Sequence, residues 1–362
     1  MCRTRIIMLE KEAHMPTKFS VMTWNVENLF PPGFKISPGK FVKEEDYQAK
    51  LKYLAKRILE MKPDVIGLQE LGSRNNQDSQ SLDDLQTILE GKYPFKALAS
   101  KTDGRGIRVG FLSKLPIHSV TEVIDFPAGE FADVRDWSGK KPIKKMGRAA
   151  LQIEVEPSAG IRVHVIALHL KSKLVNYPKS GGGTNFKPKD ENERATGSGL
   201  GLLRRTAEAI TVRFHLNELM KTASHVIVLG DFNDEPLAAT SQVFLGPADA
   251  DVTTDNKTDK FSLYNLVDSI SRKGGPKNDK KFLKVKERFS RVGNGRNELL
   301  DHILVSKAFL GESRDLKKDI WKVKKVRILT DSIINESVGL DPEARIGRDH
   351  PDHAPVFARF AL

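Results

Sequence analysis

Apolar residues in this chain fall in short runs, and side chains able to bind a metal or a phosphate stand at the ends of several of those runs. The runs at 19–26, 65–71, 95–99, 109–112, 149–155, 161–169, 225–229, 300–305, 321–329 and 354–360 predict strands. Helical spacing is less common. Leu51, Leu54, Ala55, Ile58 and Leu59 recur on one helical face, which predicts a helix over 42–61 that Pro63 closes. Further helices are expected at 81–89, with Ser81 as N-cap, and at 202–220. The stretch 171–201, rich in Gly, Lys, Asn and Pro, reads as a long surface loop. No Gly/Ser linker or break in composition separates two folding units, so one mixed α/β domain is expected over 18–362, behind a flexible leader at 1–17.

Composition narrows the class. With 362 residues, 39% hydrophobic and 29% charged, the chain matches a soluble globular protein and excludes collagen-like, coiled-coil and wholly disordered classes. No apolar run approaches the roughly 18 residues needed to cross a bilayer, so no membrane partner is expected. The single cysteine, Cys2, cannot close an intrachain disulfide, and the apolar stretch at 6–9 is too short for an export signal. A cytoplasmic location is the reading that follows.

Charge points to a partner. The 59 basic against 47 acidic residues leave a formal +12, and the excess is clustered. Segment 272–291 carries nine basic and two acidic residues, 314–327 seven and two, and 135–148 six and one. Three such runs favour a polyanion, with nucleic acid as the expected substrate.

The strand ends suggest chemistry. Asn25 ends the first run, Glu70 closes the second, His169 closes 163–168, and Asp231 and Asn233 follow 226–230. Near the C-terminus Asp301-His302 precedes one strand and Asp352-His353 precedes another. Each residue alone is explained by a turn, a solvated end or a core histidine. Together, carboxylates and an amide oxygen at strand ends can converge on one rim of a sheet system, where hard oxygen donors suit Mg²⁺ and leave positions open for water and phosphate.

Seven blocks carry a resemblance: Thr23-Trp24-Asn25-Val26-Glu27-Asn28, Asp64-Val65-Ile66-Gly67-Leu68-Gln69-Glu70, Val109-Gly110-Phe111-Leu112-Ser113-Lys114, Ala167-Leu168-His169-Leu170-Lys171-Ser172, Leu229-Gly230-Asp231-Phe232-Asn233, Leu300-Asp301-His302-Ile303-Leu304-Val305 and Pro351-Asp352-His353-Ala354-Pro355-Val356. In this order the chain resembles the endonuclease/exonuclease/phosphatase superfamily of DNase I-like enzymes. The resemblance implies a four-layer αββα sandwich with two mixed β-sheets, and hydrolysis of phosphoester bonds with Mg²⁺, or Mn²⁺ as the alternative. It implies Glu70 as principal metal ligand with Asn25 and Asp352, Asp231 as the carboxylate that aligns or deprotonates water, and Asn233 as the amide on a phosphate oxygen. His353 with Asp301 resembles the family's histidine–carboxylate pair, and His169 its second histidine.

Two departures bear on these assignments. Pro351 stands where the family has Ser, and a second Asp-His, Asp349-His350, lies three residues upstream; the continuation into Ala354-Pro355-Val356 favours Asp352-His353. His302, beside Asp301, reads as a strand-end histidine without a catalytic part. The segment from His169 to Lys173 is similar to one in bacterial DNase I-like nucleases, with Lys171 and Lys173 placed to meet substrate phosphate. A nuclease acting on DNA or RNA is therefore expected, against a phosphodiesterase on lipid headgroups or small phosphoesters and, from another class, an inactive nucleic-acid-binding module.

Overall fold

The computed structural model describes residues 17–362 except 38, 76, 130–133, 136, 138–141, 180–183, 246–260, 268–287, 311–320 and 340–344. The expected leader lies outside these residues apart from Thr17. Two six-stranded sheets face one another. The first runs in the order Lys322–Ile328, Val356–Ala361, Lys18–Leu29, Val65–Gly72, Ile107–Ser113 and Phe95–Leu98. The second runs Leu263–Asn265, Asp301–Ser306, Val226–Asp231, Ile161–His169, Lys145–Ser158 and Ser119–Asp125. Each sheet is mixed, with one parallel pair: Lys18–Leu29 beside Val65–Gly72, and Ile161–His169 beside Val226–Asp231.

Side-chain alternation explains the layers, because every strand of the sandwich has one inward and one outward row. In Lys18–Leu29 the inward row includes Phe19 and Val21 and meets Val165, Ala167, Ile227 and Leu229 of the opposite sheet. The outward row, Met22, Trp24 and Val26, packs on α1 (Glu44–Met61) and α2 (Gln80–Ile88). On the far side, Ile166, Leu168, Val226 and Val228 pack on α3 (Glu191–Leu219) and α4 (Ala239–Leu245). These four layers form the expected αββα sandwich. Gly67 marks how close the sheets approach, since a Cβ there would stand 2.2 Å from Leu229 Cδ1. Among the described residues no helix is long and apolar enough to cross a membrane.

Three local expectations need correction. Helix α3 begins at Glu191, eleven residues before the anticipated 202, so the loop after His169 is shorter than its composition implies. Asp190 caps it by accepting from the Glu193 backbone N–H at 2.8 Å, and glutamates in the first turn suit the helix dipole. Gly197, which argued against helix, is required by packing: a Cβ would lie 2.7 to 2.9 Å from Val175, Trp137 and Tyr177. Ser81 is not an N-cap; α2 starts at Gln80 and the Ser81 hydroxyl donates to the Gly72 carbonyl. Two strands of the six-stranded sheets, Ser119–Asp125 and Leu263–Asn265, lie outside the expected runs, the first because its row Ser119 to Glu122 is largely exposed and polar at a sheet edge.

Candidate active site

The polar residues at the strand ends prolong the inward rows. In Ile161–His169 the row Val163, Val165, Ala167 continues to His169; in Val226–Asp231 the row Ile227, Leu229 continues to Asp231. Register does the rest. Asp231 pairs with His169 on one side and Asp301 on the other, which sets the three side by side across the second sheet. Gly230 makes this possible, because a Cβ there would fall 2.0 Å from the Leu168 carbonyl oxygen. His302, one residue out of register with the inward row, points to the outer face beside Phe232; its Nε2 donates to Asp234 O at 2.9 Å and Asn265 Nδ2 donates to its Nδ1.

The first sheet reaches the same place through backbone irregularity. Asn25 prolongs the inward row of Lys18–Leu29, but strict alternation would send Glu70 outward with Ile66 and Leu68. A left-handed φ of 63° at Glu70, with a register shift between Leu68 and Leu71, turns it to the cavity. Glu27, Asn28 and Asn233 share this conformation, with φ of 44°, 49° and 52°. Such residues cost about 1–3 kcal/mol each, so their grouping at one cavity is a site signature rather than packing noise.

The resulting cavity, about 350 Å³, is lined by Asn25, Glu27, Glu70, His169, Asp231, Asn233, Asp352 and His353 at its acidic floor. Asn25 Nδ2 donates to Asp231 Oδ2 at 2.9 Å and lies 3.5 Å from Glu70 Oε1. His169 Nε2 stands 3.4 Å from Asp231 Oδ2 and 3.8 Å from Glu70 Oε1. The Asn28 backbone N–H donates to Glu70 Oε2 at 2.8 Å, and the Asn233 side chain donates to Leu170 O at 3.1 Å. His353 Nδ1 donates to the buried Asp301 Oδ2 at 2.7 Å. His350 instead pairs with Asp349 and does not line the cavity.

Burial and charge set the protonation states. Burial opposes a charged His353, but Asp301 and Asp352 outweigh it and push the imidazolium up to about 10. Burial raises the Asp231 carboxyl to about 7 against the pull of the His353 charge. Burial, with Arg148 and Arg105 nearby, holds His169 well below the ordinary histidine range. The arrangement therefore offers one cationic imidazole, one neutral imidazole and a carboxyl able to exchange a proton near neutrality.

Two expected residues sit differently from their anticipated roles. Lys171 is not at the cavity; its ammonium is turned back onto the carbonyls of Ser172 and Leu174, at 3.0 and 2.6 Å, while burial lowers it to about 7. Asp352 lines the cavity, but its Oδ2 accepts from Arg291 Nε at 2.8 Å and Arg345 Nη1 at 2.6 Å, and Oδ1, without a hydrogen bond, stands 3.8 Å from His353 Nε2. Lys173 does line the cavity, 3.5 Å from Asp234 Oδ1. Of the basic runs, 272–287 of the first, 314–320 of the second, and 136 and 138–141 of the third lie outside the described residues.

The structure also adds residues that run-by-run reading does not reveal. Arg105, Arg194, Arg291 and Arg345 join Lys173 on the cavity wall. Ser290 organises the histidine–carboxylate pair: its hydroxyl accepts from the Leu300 and Asp301 N–H groups, and its carbonyl accepts from Ala354 N at 2.6 Å. Arg291 ends the basic run 272–291, but which of these side chains faces the cavity is set by the fold rather than by sequence neighbours.

The donors fit a hard divalent cation. Glu70 Oε1 and Asp231 Oδ2 both face the Asn25 amide nitrogen, two acidic oxygens whose charge a cation between them would neutralise, while the Asn25 oxygen accepts from the Glu27 N–H at 2.9 Å. Ligand atoms of Asp231, Asp301 and His353 also come within 4.8 Å of one another. In that second group the imidazole carries a proton and is bound to Asp301, which makes it the poorer ligand set.

Residues 22–316 match the family described as Endonuclease/Exonuclease/phosphatase. The chain belongs to this family. As a member it is a phosphoester hydrolase. The human Nocturnin catalytic domain with bound sulfate is similar in structure, 15% identical over 96% of this chain and 96% of its own, with a TM-score of 0.52. A family protein from Bacteroides thetaiotaomicron is 16% identical over 96% and 99%, TM-score 0.52. A humanized D. rerio TDP2 is 14% identical over 96% and 100%, TM-score 0.50. At these identities the likeness establishes a shared DNase I-like fold. No curated protein matches the sequence.

Proposed function

We propose that this family member is a metal-dependent phosphodiesterase that hydrolyses nucleic acid, most simply as an endonuclease, by water attack on phosphate. The observation that carries the reading is a buried His353–Asp301 pair beside Asp231, on the acidic floor of a cavity whose walls hold Arg105, Lys173, Arg194, Arg291 and Arg345. Glu70, Asn25 and Asp352, through its Oδ1, would hold Mg²⁺ or Mn²⁺, which would supply charge neutralisation at the phosphate oxygens.

The side chains divide the remaining work. Asp231, raised toward neutrality, accepts a proton from the attacking water while its neighbours Asn25 and His169 fix its orientation. Asn233 spends one amide N–H on Leu170 O and keeps the other for a phosphate oxygen. His353, fixed and kept cationic by Asp301, stabilises the charge that builds on the pentacovalent phosphorus. His169, neutral and close to both Asp231 and Glu70, donates from Nε2.

The +12 charge and the cationic wall favour a polyanion. The rival reading, a small phosphodiester, draws support from the apolar wall of Leu174, Val175, Tyr177, Phe186 and Pro188 in a cavity of only about 350 Å³. Incubation with plasmid, linear DNA, single-stranded DNA, RNA and bis-p-nitrophenyl phosphate, each with Mg²⁺ and with EDTA, separates the two. EDTA-sensitive cleavage of a polynucleotide supports the proposal. Turnover of the small ester alone refutes the nucleic-acid assignment, and full activity in EDTA refutes the metal.

A further inference from the structure

One wall of the cavity offers nothing to a phosphate. Leu174, Val175, Tyr177, Phe186 and Pro188 come from the excursion between the strand that ends in His169 and helix α3, so the chain that brings His169 to the floor also supplies the apolar face of the same cavity. Local contacts hold this face in place. Tyr177–Pro178 pairs antiparallel with Thr184–Asn185, which returns the chain so that Phe186 and Pro188 line the cavity together with Tyr177. The Lys189 N–H donates to Glu193 Oε2 at 2.6 Å and the Glu193 N–H to Asp190 Oδ1 at 2.8 Å, a pair of bonds that ties the end of the excursion to α3. Val175 and Tyr177 sit on Gly197, where a Cβ would reach them at 2.7 and 2.9 Å, and the Tyr177 ring lies 5.9 Å from that of Trp137.

A phosphate on the floor carries its ester group to the neighbouring surface, and a cavity of about 350 Å³ suits a ligand of the size of one nucleotide. Tyr177 and Phe186 give the wall aromatic rings. Phe186 is partly exposed, and Tyr177, 6% exposed, makes no hydrogen bond through its hydroxyl among the described residues. A nucleobase answers both features, with an apolar face for the rings and a polar edge for the hydroxyl, whereas an acyl chain would leave the hydroxyl unanswered. Inside a duplex the faces of each base are covered by its neighbours, so only an unstacked base can reach such a wall.

We propose that this wall is a stacking subsite for one unpaired nucleobase of the strand whose phosphate lies on the floor, so that a single strand or a frayed end is preferred to intact duplex. The inference rests on the nucleic-acid reading above and adds to it the form of nucleic acid that the site takes.

Fluorescence anisotropy with the full chain in EDTA tests it, using a short oligothymidine, an abasic strand of the same length and charge, a hairpin duplex and a short-chain phospholipid, with circular dichroism to verify folding. Wild type should bind oligothymidine about fivefold or more tightly than the abasic strand. Phe186→Ala should abolish that advantage while changing affinity for the abasic strand and the duplex by less than about twofold. Phe186→Leu, which keeps apolar bulk without a ring face, should lose most of the advantage too, and it carries the test if Phe186→Ala does not fold. Equal wild-type affinity for the two single strands, an equal loss on all three nucleic-acid ligands in Phe186→Ala, or an intact advantage in Phe186→Leu overturns the inference alone, provided that a polynucleotide is cleaved with Mg²⁺. A loss confined to the phospholipid gives the wall to an acyl chain and also overturns it. Neither binding nor cleavage of any polynucleotide removes the nucleic-acid reading and the inference with it.

Discussion

Replacing His353 by alanine tests the centre of the site through catalysis and stability at once. His353 is buried and its Nδ1 holds Asp301 Oδ2 at 2.7 Å, while Asp301 is fully buried and its other oxygen has no partner. His353→Ala therefore strands a buried carboxylate, a change that costs about 3–5 kcal/mol. The titration of His353 gives an independent scale. Raised from 6.5 to about 10, it represents a difference of 10 − 6.5 = 3.5 pH units. At about 1.4 kcal/mol per unit this corresponds to a ceiling of about 5 kcal/mol. Because the folded-state value lies above the unfolded one, this stability is fully present below pH 6.5 and is lost as pH rises toward 10. Urea denaturation of wild type and His353→Ala should differ most at mildly acidic pH, and the gap should narrow through the alkaline range. Cleavage should fall about 10²- to 10⁴-fold. His350→Ala is the control: its ring pairs with Asp349 outside the cavity, so stability should change by less than about 1 kcal/mol and rate hardly at all. Equal rate losses in the two variants, or a stability gap that does not vary with pH, would refute the pairing and its charge state.

Glu70→Ala should lose activity mainly through metal affinity, so excess Mg²⁺ should restore part of the rate; normal cleavage at limiting Mg²⁺ would remove Glu70 from the metal set. Binding to duplex DNA should weaken with log salt, at about −0.9 per phosphate contact, and Lys173→Ala should flatten the slope by about one contact. Lys171→Ala should leave that slope unchanged, since its ammonium is occupied by the Ser172 and Leu174 carbonyls; equal flattening by both would show that the loop opens toward substrate. Gly230→Ala should destabilise by at least about 2 kcal/mol in urea titration, because its Cβ would collide with the Leu168 carbonyl at 2.0 Å; a neutral result would mean that the two paired strands move apart there more easily than the register suggests.

Alternation along a strand is a local property, which is why so much of this protein can be read in one dimension. The inward rows ending in Asn25, His169 and Asp231, the helix Glu44–Met61 and the ordered family blocks all follow from spacing along the chain. Other features depend on contacts between distant segments. Glu70 is legible as a strand-end carboxylate, but only a left-handed kink turns it from the helix layer to the cavity. Between Asp349-His350 and Asp352-His353 the decision belongs to the Ser290 carbonyl, which holds Ala354 and so sets which histidine meets Asp301. Of the glycines that discourage a helix after Asp190, Gly197 is demanded by Val175, Trp137 and Tyr177 packed against it. Charge shows the same division: the sequence alone counts Lys171, Arg291, Arg345 and Glu27, but whether each is spent on a neighbour or left facing the cavity is settled by burial and partners, which exist only once the two sheets have closed.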